Sequence, residues 1–536
     1  MSTHDLIRLL VGVYIVGALL LFGHLLTQKI RFVRRGRPED RSDQIPRRIG
    51  IFFTEVIGQS KVRERLAAGW AHAMVFWGFL AFAVATLDLL WRLAVGGDGV
   101  LEALGLTPFL VVVDGFAVAI LAGVVALAVR RYVVRPTYLT YYSRESAVVL
   151  AVIALIALSH LGERYAGADL VEYFGYAHLV FAFGFLAYVP TSKHFHILGA
   201  PVNAVVQPLR DIQKMDYLDL EAELDFDGGE SYGWNRLNDF AWTDRLNLLT
   251  CIECGRCQEA CPAHATGKLL NPRDFIVDLK YHAKGKTPQG DQAGVAREAF
   301  QAAGSSLDGV PLEDQPLIDH VISSTTLWQC TTCLACVEAC PVDIDHLSML
   351  LNLRRYQTLD VGEIEPEYQR VFTNMERAGD PWGHGEHRKT ETIEKLTGGG
   401  NGIPAPRVAE PGETFDVLFW IGCWGLYDDR SIETTRATLK VLDHYGVDYR
   451  IIGDAEVCCG ENYRRMGNEL QFQMNAQMNL ELFGSVDFKT LMVTNPHCHQ
   501  VFGKDYRDFV SAEEGAEALP FQVVSVEELV NALVRD

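Results

Sequence analysis

Two cysteine runs carry the most legible chemistry in the chain: CIECGRCQEACP, from Cys251 to Pro262, and CTTCLACVEACP, from Cys330 to Pro341. Both are spaced C-x2-C-x2-C-x3-C-P. In that spacing three thiolates wrap one [4Fe-4S] cube, and the fourth cysteine, ahead of the proline, completes a neighbouring cube. The duplication therefore assigns Cys251, Cys254, Cys257 and Cys340 to one cluster, and Cys330, Cys333, Cys336 and Cys261 to a second. Structural zinc needs only two C-x2-C pairs. The third cysteine, the C-x3-C-P tail and the repeat fit iron–sulfur instead. Two adjacent cubes move single electrons, so the chain reads as a wire.

The remaining four cysteines are Cys423, Cys458, Cys459 and Cys498, and all twelve lie after residue 250. Such clustering suits cofactor ligation in a reducing compartment, where disulfide frameworks are rare. FDVLFWIGC ends on Cys423, CCG spans Cys458 to Gly460, and TLMVTNPHC ends on Cys498. Helical patterns alternate with these runs and with DYRIIG and FQVVSV, which predicts a parallel α/β layer with ligands at strand ends. The four cysteines then converge on a third iron–sulfur site.

The elements that must position these groups begin with a membrane bundle. Apolar stretches at Leu6–Leu26, Trp70–Ala94, Phe109–Val129, Ala147–Leu161 and Tyr173–Val189 approach the roughly 20 residues that cross a bilayer. They predict five transmembrane helices. Lys29 to Arg65 holds eleven basic residues, and Arg130, Arg131, Arg135 and Arg144 follow the third helix. By the positive-inside rule the N-terminus is outside and the cysteine runs are cytoplasmic, at the inner membrane.

Ionisable groups in hydrocarbon are costly and mark function. His178 and His196 are 18 residues apart, five turns or about 27 Å of one continuous helix. Such a pair, each facing a histidine on another helix, holds two b-type haems across a membrane. His72 and His196 are the expected inner axial pair, with His194 in reserve for His196 and His24 for His72. His178 with His160 is the expected outer pair, giving one or two b-type haems; hydrogen-bonded histidines without haem are the alternative. Asp88 and Asp114 near the outer helix ends suit either a proton exit or solvated interfacial positions.

At 536 residues the chain suggests three domains, 1–200, 201–390 and 391–536. The segment DYLDLEAELDFDGGES reads as a solvated connector, and TGGGNGIPAPRVAEPGE as a linker. A net charge of −20 argues against nucleic acid as partner.

The Cys-x(n)-CCG-x(n)-PxC layout resembles the CCG domain of heterodisulfide reductase subunits. The order of a NarI-like haem b membrane domain, a helical double-cluster ferredoxin domain and a CCG α/β domain resembles membrane electron-transfer-flavoprotein:quinone oxidoreductases. GWAHAMVFWGFLAF, PTSKHFHIL, LWQCTTCLACVEACPV and ERAGDPWG also carry the likeness. The resemblance implies an oxidoreductase, a subunit of a complex, that passes electrons from a soluble flavoprotein such as ETF through clusters and haem to quinone. The alternative is a thiol–disulfide (heterodisulfide) reductase subunit. The family's CCG repeat ends C-x2-C, and Asn495 stands where its first cysteine is expected. Four thiolates suit an ordinary cube, whereas five suit a noncubane disulfide-reducing cluster. One CCG repeat is present where relatives commonly carry two, so a separate subunit with the second is an expected partner.

Overall fold

A computed structural model describes residues 3–535 apart from 96, 98, 140–143, 210–214, 216, 221–230, 363, 399–404 and 515–518. Most of the acidic connector and the centre of the glycine-rich linker lie outside the described residues. The chain divides into two compact units: Met1–Pro208 with Arg236–His346, and Leu209–Asn235 with Leu347–Asp536.

The first unit begins with five helices: α1 (Thr3–Arg34), α2 (Leu66–Val95), α3 (Pro108–Val129), α4 (Arg144–Tyr165) and α5 (Ala168–Tyr188). All five are long and apolar enough to cross a membrane, as expected. A helix satisfies its own amides, which is what hydrocarbon demands of a spanning segment. The 32 residues of α1 reach about 48 Å, well beyond the roughly 30 Å of hydrocarbon. Its surplus end packs Phe32 and Val33 around buried Phe195, Leu246 and Leu249.

The expectation that His178 and His196 share one helix does not hold. Helix α5 stops at Tyr188; two 3-10 turns, Val189–Thr191 and Lys193–Phe195, form a corner before α6 (His196–Val206) starts afresh. Pro190 has no amide to donate. Ser192 is extended, with φ −100° and ψ 172°, and its Oγ accepts from the His194 amide at 3.0 Å. Beyond α6 come α7 (Trp242–Thr250), which leads directly into Cys251, and α8 (Pro272–Ala283). In α8, Pro272 opens the first turn and the Asn271 side chain accepts from the Arg273 and Asp274 amides.

The second unit is built on a four-stranded, all-parallel sheet of order β2-β1-β3-β4, comprising β1 (Thr414–Trp420), β2 (Tyr449–Ile451), β3 (Asp487–Val493) and β4 (Gln522–Ser525). Helices α9 (Asp429–His444), α10 (Glu469–Gly484) and α11 (Pro496–Gln500) belong to its connections. Val417 to Trp420 are buried without alternation, the pattern of a central strand covered on both faces. Trp420 pairs in register with Val493. The carboxyl ends of β1 and β3, just before Cys423 and Cys498, therefore lie side by side. The architecture is the expected one: membrane bundle, helical double-cysteine-run region, then a small parallel sheet.

Candidate redox centres

The repeated cysteine spacing folds into a repeated backbone. The third and fifth positions of each run are left-handed: Glu253 (φ 57°) and Gly255 (78°) in the first, Thr332 (53°) and Leu334 (64°) in the second. Left-handed turns of this kind aim successive amides inward, as in anion-binding nests. At Gly255 a β-carbon would also sit 2.4 Å from the Tyr138 carbonyl oxygen, so the position needs glycine twice over. The Thr332 amide donates to Cys330 Sγ at 3.3 Å and the Ile344 amide to Cys340 Sγ at 3.4 Å. Hydrogen bonds to sulfur are one of the levers on cluster potential.

Around Cys257, burial and then the thiols of Cys254, Cys340 and Cys251 raise its pKa. Around Cys336, burial and then Cys330, Cys261 and Cys333 do the same. The fold thus gathers each three-cysteine loop with the distant fourth cysteine of the other run, across about eighty residues of chain. Among the described residues no three His, Cys, Asp or Glu donors converge at single-ion distance. The fit to clusters rests on the all-thiol donor sets, the burial of Cys251, Cys257, Cys261 and Cys340, and the amides donated to the Cys330 and Cys340 sulfurs.

The sequence reading missed the groups that anchor these loops. Lys280 on α8 is almost wholly buried; its Nζ donates to the Cys251 carbonyl at 2.8 Å and to Glu253 Oε1 at 3.1 Å. Asn203 on α6 is buried too, and its Nδ2 donates to Asn247 Oδ1 at 2.9 Å and to the carbonyls of Val342 and Asp343 at 2.6 and 3.0 Å. This one amide joins α6, α7 and the backbone just past Cys340. On α6, a β-carbon at Gly199 would lie 2.6 Å from Thr250 Oγ1, so α6 lies hard against the turn into Cys251.

In the second unit all four cysteines meet. Cys458 lies within hydrogen-bond reach of Cys423 and Cys459, and Cys459 within reach of Cys498. A β-carbon at Gly422 would stand 3.5 Å from Cys498 Sγ. Polar groups clamp the CCG turn from beneath. The Asn475 and Asn479 amides donate to the Cys458 carbonyl at 2.6 and 3.1 Å, and the Tyr506 hydroxyl to the Cys459 carbonyl at 2.9 Å. Buried Glu456 accepts from the Ile421 and Gly422 amides at 3.2 and 2.5 Å. Asn495 has a structural task of its own: its side chain accepts from the His497 amide at 2.8 Å and caps α11, which carries Cys498.

The histidines separate into two groups. His72 and His196 face each other with ring centroids 6.4 Å apart. Two imidazoles on opposite sides of one metal, with bonds of about 2 Å, have centroids roughly 6 Å apart. His196 Nδ1 bonds the Lys193 carbonyl at 3.1 Å, the backbone contact that orients a ligating ring through its other nitrogen. His72 Nδ1 and His194 Nδ1 are buried without a hydrogen-bond partner. Burial lowers His194 and His196 to about 4 and about 3, which keeps them neutral, the form that binds metal. The inner residues fit axial ligation. His24 is instead bonded to Gln28 at 2.9 Å.

His160 and His178 also lie close, with centroids 6.0 Å apart, but both His178 nitrogens and His160 Nε2 are hydrogen-bonded. His178 Nε2 bonds Thr86 Oγ1 at 2.9 Å and its Nδ1 bonds the Ile156 carbonyl at 3.0 Å. His160 Nε2 bonds Asp114 Oδ1 at 2.9 Å, and Tyr165 donates to Asp114 Oδ2 at 2.7 Å. Phe82 packs against both rings, at 4.9 and 6.0 Å. This arrangement ties α2, α3, α4 and α5 together and does not fit an axial pair. Asp88 is likewise engaged, by Arg92 at 3.2 Å and the Leu101 amide at 2.8 Å.

A five-helix membrane bundle joined to all-cysteine sets in cluster spacing defines a membrane-bound iron–sulfur protein. Comparison with known proteins agrees: residues 247–344 match the 4Fe-4S dicluster domain, and residues 417–503 the cysteine-rich domain that carries the CCG motif. The chain is 31% identical over 533 residues to the EtfAB:quinone oxidoreductase of Syntrophomonas wolfei, covering 91% of this chain and 73% of that one. It is 29% identical to the probable iron-sulfur-binding oxidoreductase FadF of Bacillus subtilis, covering 92% and 75%. More distantly, 22% identity over 309 residues relates it to a component of the dihydromethanophenazine:CoB–CoM heterodisulfide reductase of Methanosarcina barkeri, covering 54% and 64%. No solved structure matches. The chain belongs to the family of the EtfAB:quinone oxidoreductase, and is an iron–sulfur electron-transfer oxidoreductase.

Proposed function

We propose that this protein carries electrons from a cytoplasmic flavoprotein of the ETF type to membrane quinone, with the division of labour 201–390 and 391–536 for iron–sulfur clusters and 1–200 for one b-type haem. Bound in these sites, the clusters and the haem supply one-electron transfer. Cys251, Cys254, Cys257 and Cys340 would hold one [4Fe-4S] cluster, and Cys330, Cys333, Cys336 and Cys261 the second. Cys423, Cys458, Cys459 and Cys498 would hold the third, and His72 with His196 the haem. The observation that carries this reading is the contact between α6 and α7. His196 opens one helix, Cys251 follows the other, and Asn203 bonds both α7 and the backbone after Cys340. The Cys251 set thereby adjoins the inner histidines, and the Cys330 set stands behind it.

The basic loops argue for the cysteine sets facing the cytoplasm, where reduced flavoprotein is found. The Syntrophomonas relative is an EtfAB:quinone oxidoreductase, which supports quinone as acceptor and EtfAB as donor. Four cysteines at the CCG site, with Asn495 used as a helix cap, leave no spare thiolate there and weigh against disulfide reduction. The test is the purified protein in liposomes, mixed with a reduced ETF-type flavoprotein and a quinone. The expected results are iron near twelve per chain, one haem by reduced-minus-oxidised spectrum, and quinol formation faster than reduction of a low-molecular-weight disulfide. The reverse order of rates would replace this reading by the disulfide reductase.

A further inference from the structure

We propose that the cleft between α1 and α5 on the cluster side of the bundle is the binding site for an isoprenoid quinone; this rests on the quinone-reducing function proposed above and gives it a location. The cleft measures about 540 Å³ and is walled by Tyr14, Gly17, Gly184, Ala187, Tyr188 and Thr191, among others. That size lies within the range of small-molecule sites, which are mostly apolar with a few convergent polar groups.

Small residues open the slot. Gly17 has nothing within 4 Å of where a β-carbon would be, whereas a β-carbon at Gly184 would strike the Tyr14 hydroxyl at 2.5 Å. The slot is therefore a gap maintained between helices that touch beside it, as where Ile15 and Ala18 pack with Leu179 and Phe183. Helix α1 is little buried along its spanning length, so the slot borders lipid, from which an isoprenoid chain would enter. The polar groups gather at the cluster-side end: Tyr188 and Thr191 belong to the wall, and Thr191 closes the first turn of the corner that leads to His194 and His196.

The other face of α5 at this level meets the histidines. Phe185, next to Gly184, packs on His194 at 6.3 Å, and His194 on His196 at 5.7 Å. The cleft and the inner histidines are thus separated by the thickness of one helix, roughly 10 Å. A second cleft of about 650 Å³, walled by Asp5, Arg8, Leu90 and Tyr176 among others, lies at the opposite end of the bundle, away from His72, His194 and His196. In the step at the first cleft, quinone takes two electrons, delivered singly, and two protons from water at the cluster-side surface, giving quinol. The donor flavin hydroquinone is the species oxidised, losing the same two electrons and releasing its protons to water on its own side.

The test uses the full-length protein in phospholipid nanodiscs with two probes. A photoactivatable azido-quinone is cross-linked and mapped by peptide mass spectrometry, and a fluorescent 4-hydroxyquinoline N-oxide is titrated by quenching. Saturable labelling of peptides containing Gly17 or Gly184–Thr191, competed by quinone, is the expected result. Gly17→Leu, whose β-carbon meets nothing within 4 Å and whose side chain enters the gap, should raise the Kd of the N-oxide by roughly tenfold or more with the haem spectrum unchanged. Thr191→Val should weaken binding less. Saturable labelling elsewhere, at the Arg8–Tyr176 cleft for example, or an unchanged Kd in Gly17→Leu, overturns the location and leaves quinone reduction standing. Labelling competed by excess phospholipid but not by quinone assigns the cleft to acyl chains and overturns it. Absence of saturable binding anywhere, together with no quinone reduction by the wild type, removes the quinone function itself.

Discussion

Asn203 offers the sharpest test of how the membrane bundle is joined to the cluster region. Its side-chain amide is 2% exposed and donates to three acceptors: Asn247 Oδ1, the Val342 carbonyl and the Asp343 carbonyl. Asn203→Ala strands these acceptors in a buried site. Each unsatisfied buried group costs about 1–3 kcal/mol, and if the space left admits one water that rescues part of the set, the net loss is about 2–4 kcal/mol. Asn203→Asp keeps the shape but points a carboxylate at three oxygens, so it should be worse than alanine. Both variants loosen the backbone after Cys340 relative to the helix that starts at His196. The assay is iron and haem content of the purified variants, with the low-temperature EPR signal of the Cys251 set and the rate of haem reduction by a soluble donor. The expected outcome is retained haem, a weakened or lost Cys251-set signal, slower haem reduction and the order wild type, alanine, aspartate in thermal stability. If Asn203→Asp matches the wild type in stability and haem reduction, the junction reasoning is wrong.

The remaining predictions follow from the same geometry. Cys340→Ala should abolish the cluster of the first run and Cys261→Ala that of the second, each seen as loss of the opposite run's EPR signal; loss within the variant's own run would reject the crossed assignment. His72→Ala or His196→Ala should remove the b-type optical band, whereas His160→Ala and His178→Ala should keep one haem per chain while lowering thermal stability. Burial, with Glu39 and Asp345 nearby, raises buried Asp244 to about 8 from its usual 3.8. The folded chain then holds a proton that the unfolded chain has lost, so the stability linked to this group is greatest below pH 4 and falls as pH rises towards 8. Asp244→Asn should flatten that part of the stability profile in detergent and stabilise the protein at pH 8. Asn495→Ala should cost about 0.5–2 kcal/mol through the lost cap, Asn495→Ser should restore most of it, and Asn495→Cys should not raise quinone-reducing activity.

Much of the chemistry is legible in the chain because it is local. C-x2-C-x2-C spacing dictates a tight loop whatever surrounds it, and both runs do take the same left-handed positions. Twenty apolar residues make a spanning helix because hydrocarbon leaves the backbone no alternative. The strand runs ending near Cys423 and Cys498 are readable as parts of one parallel α/β layer, whose ligands sit at strand ends; that β3 pairs with β1 and not with β2, its predecessor in the chain, is decided by the packed sheet. Even the corner at Pro190–Ser192 is written in the chain, but the apolar periodicity around it outweighs one proline and assigns His196 to the preceding helix. Lys280 and Glu456 give no comparable signal: one charged residue on an amphipathic helix or a loop looks like any solvated group until its burial is known.

Pairing across the fold is what the tertiary structure alone decides. His72, His160, His178 and His196 are equivalent in type and each lies in or beside an apolar helix. Only packing separates His178, whose two nitrogens are spent on Thr86 and Ile156, from His72, whose Nδ1 has no partner. Asp114 and His160 are 46 residues apart and Asn203 and Val342 139 apart. Hydrogen bonds of that range depend on which helix faces meet, and the identities of the residues alone do not set it. The sequence determined which atoms were available to bind iron and to cross the membrane; the packed bundle decided which of them remain free to do so.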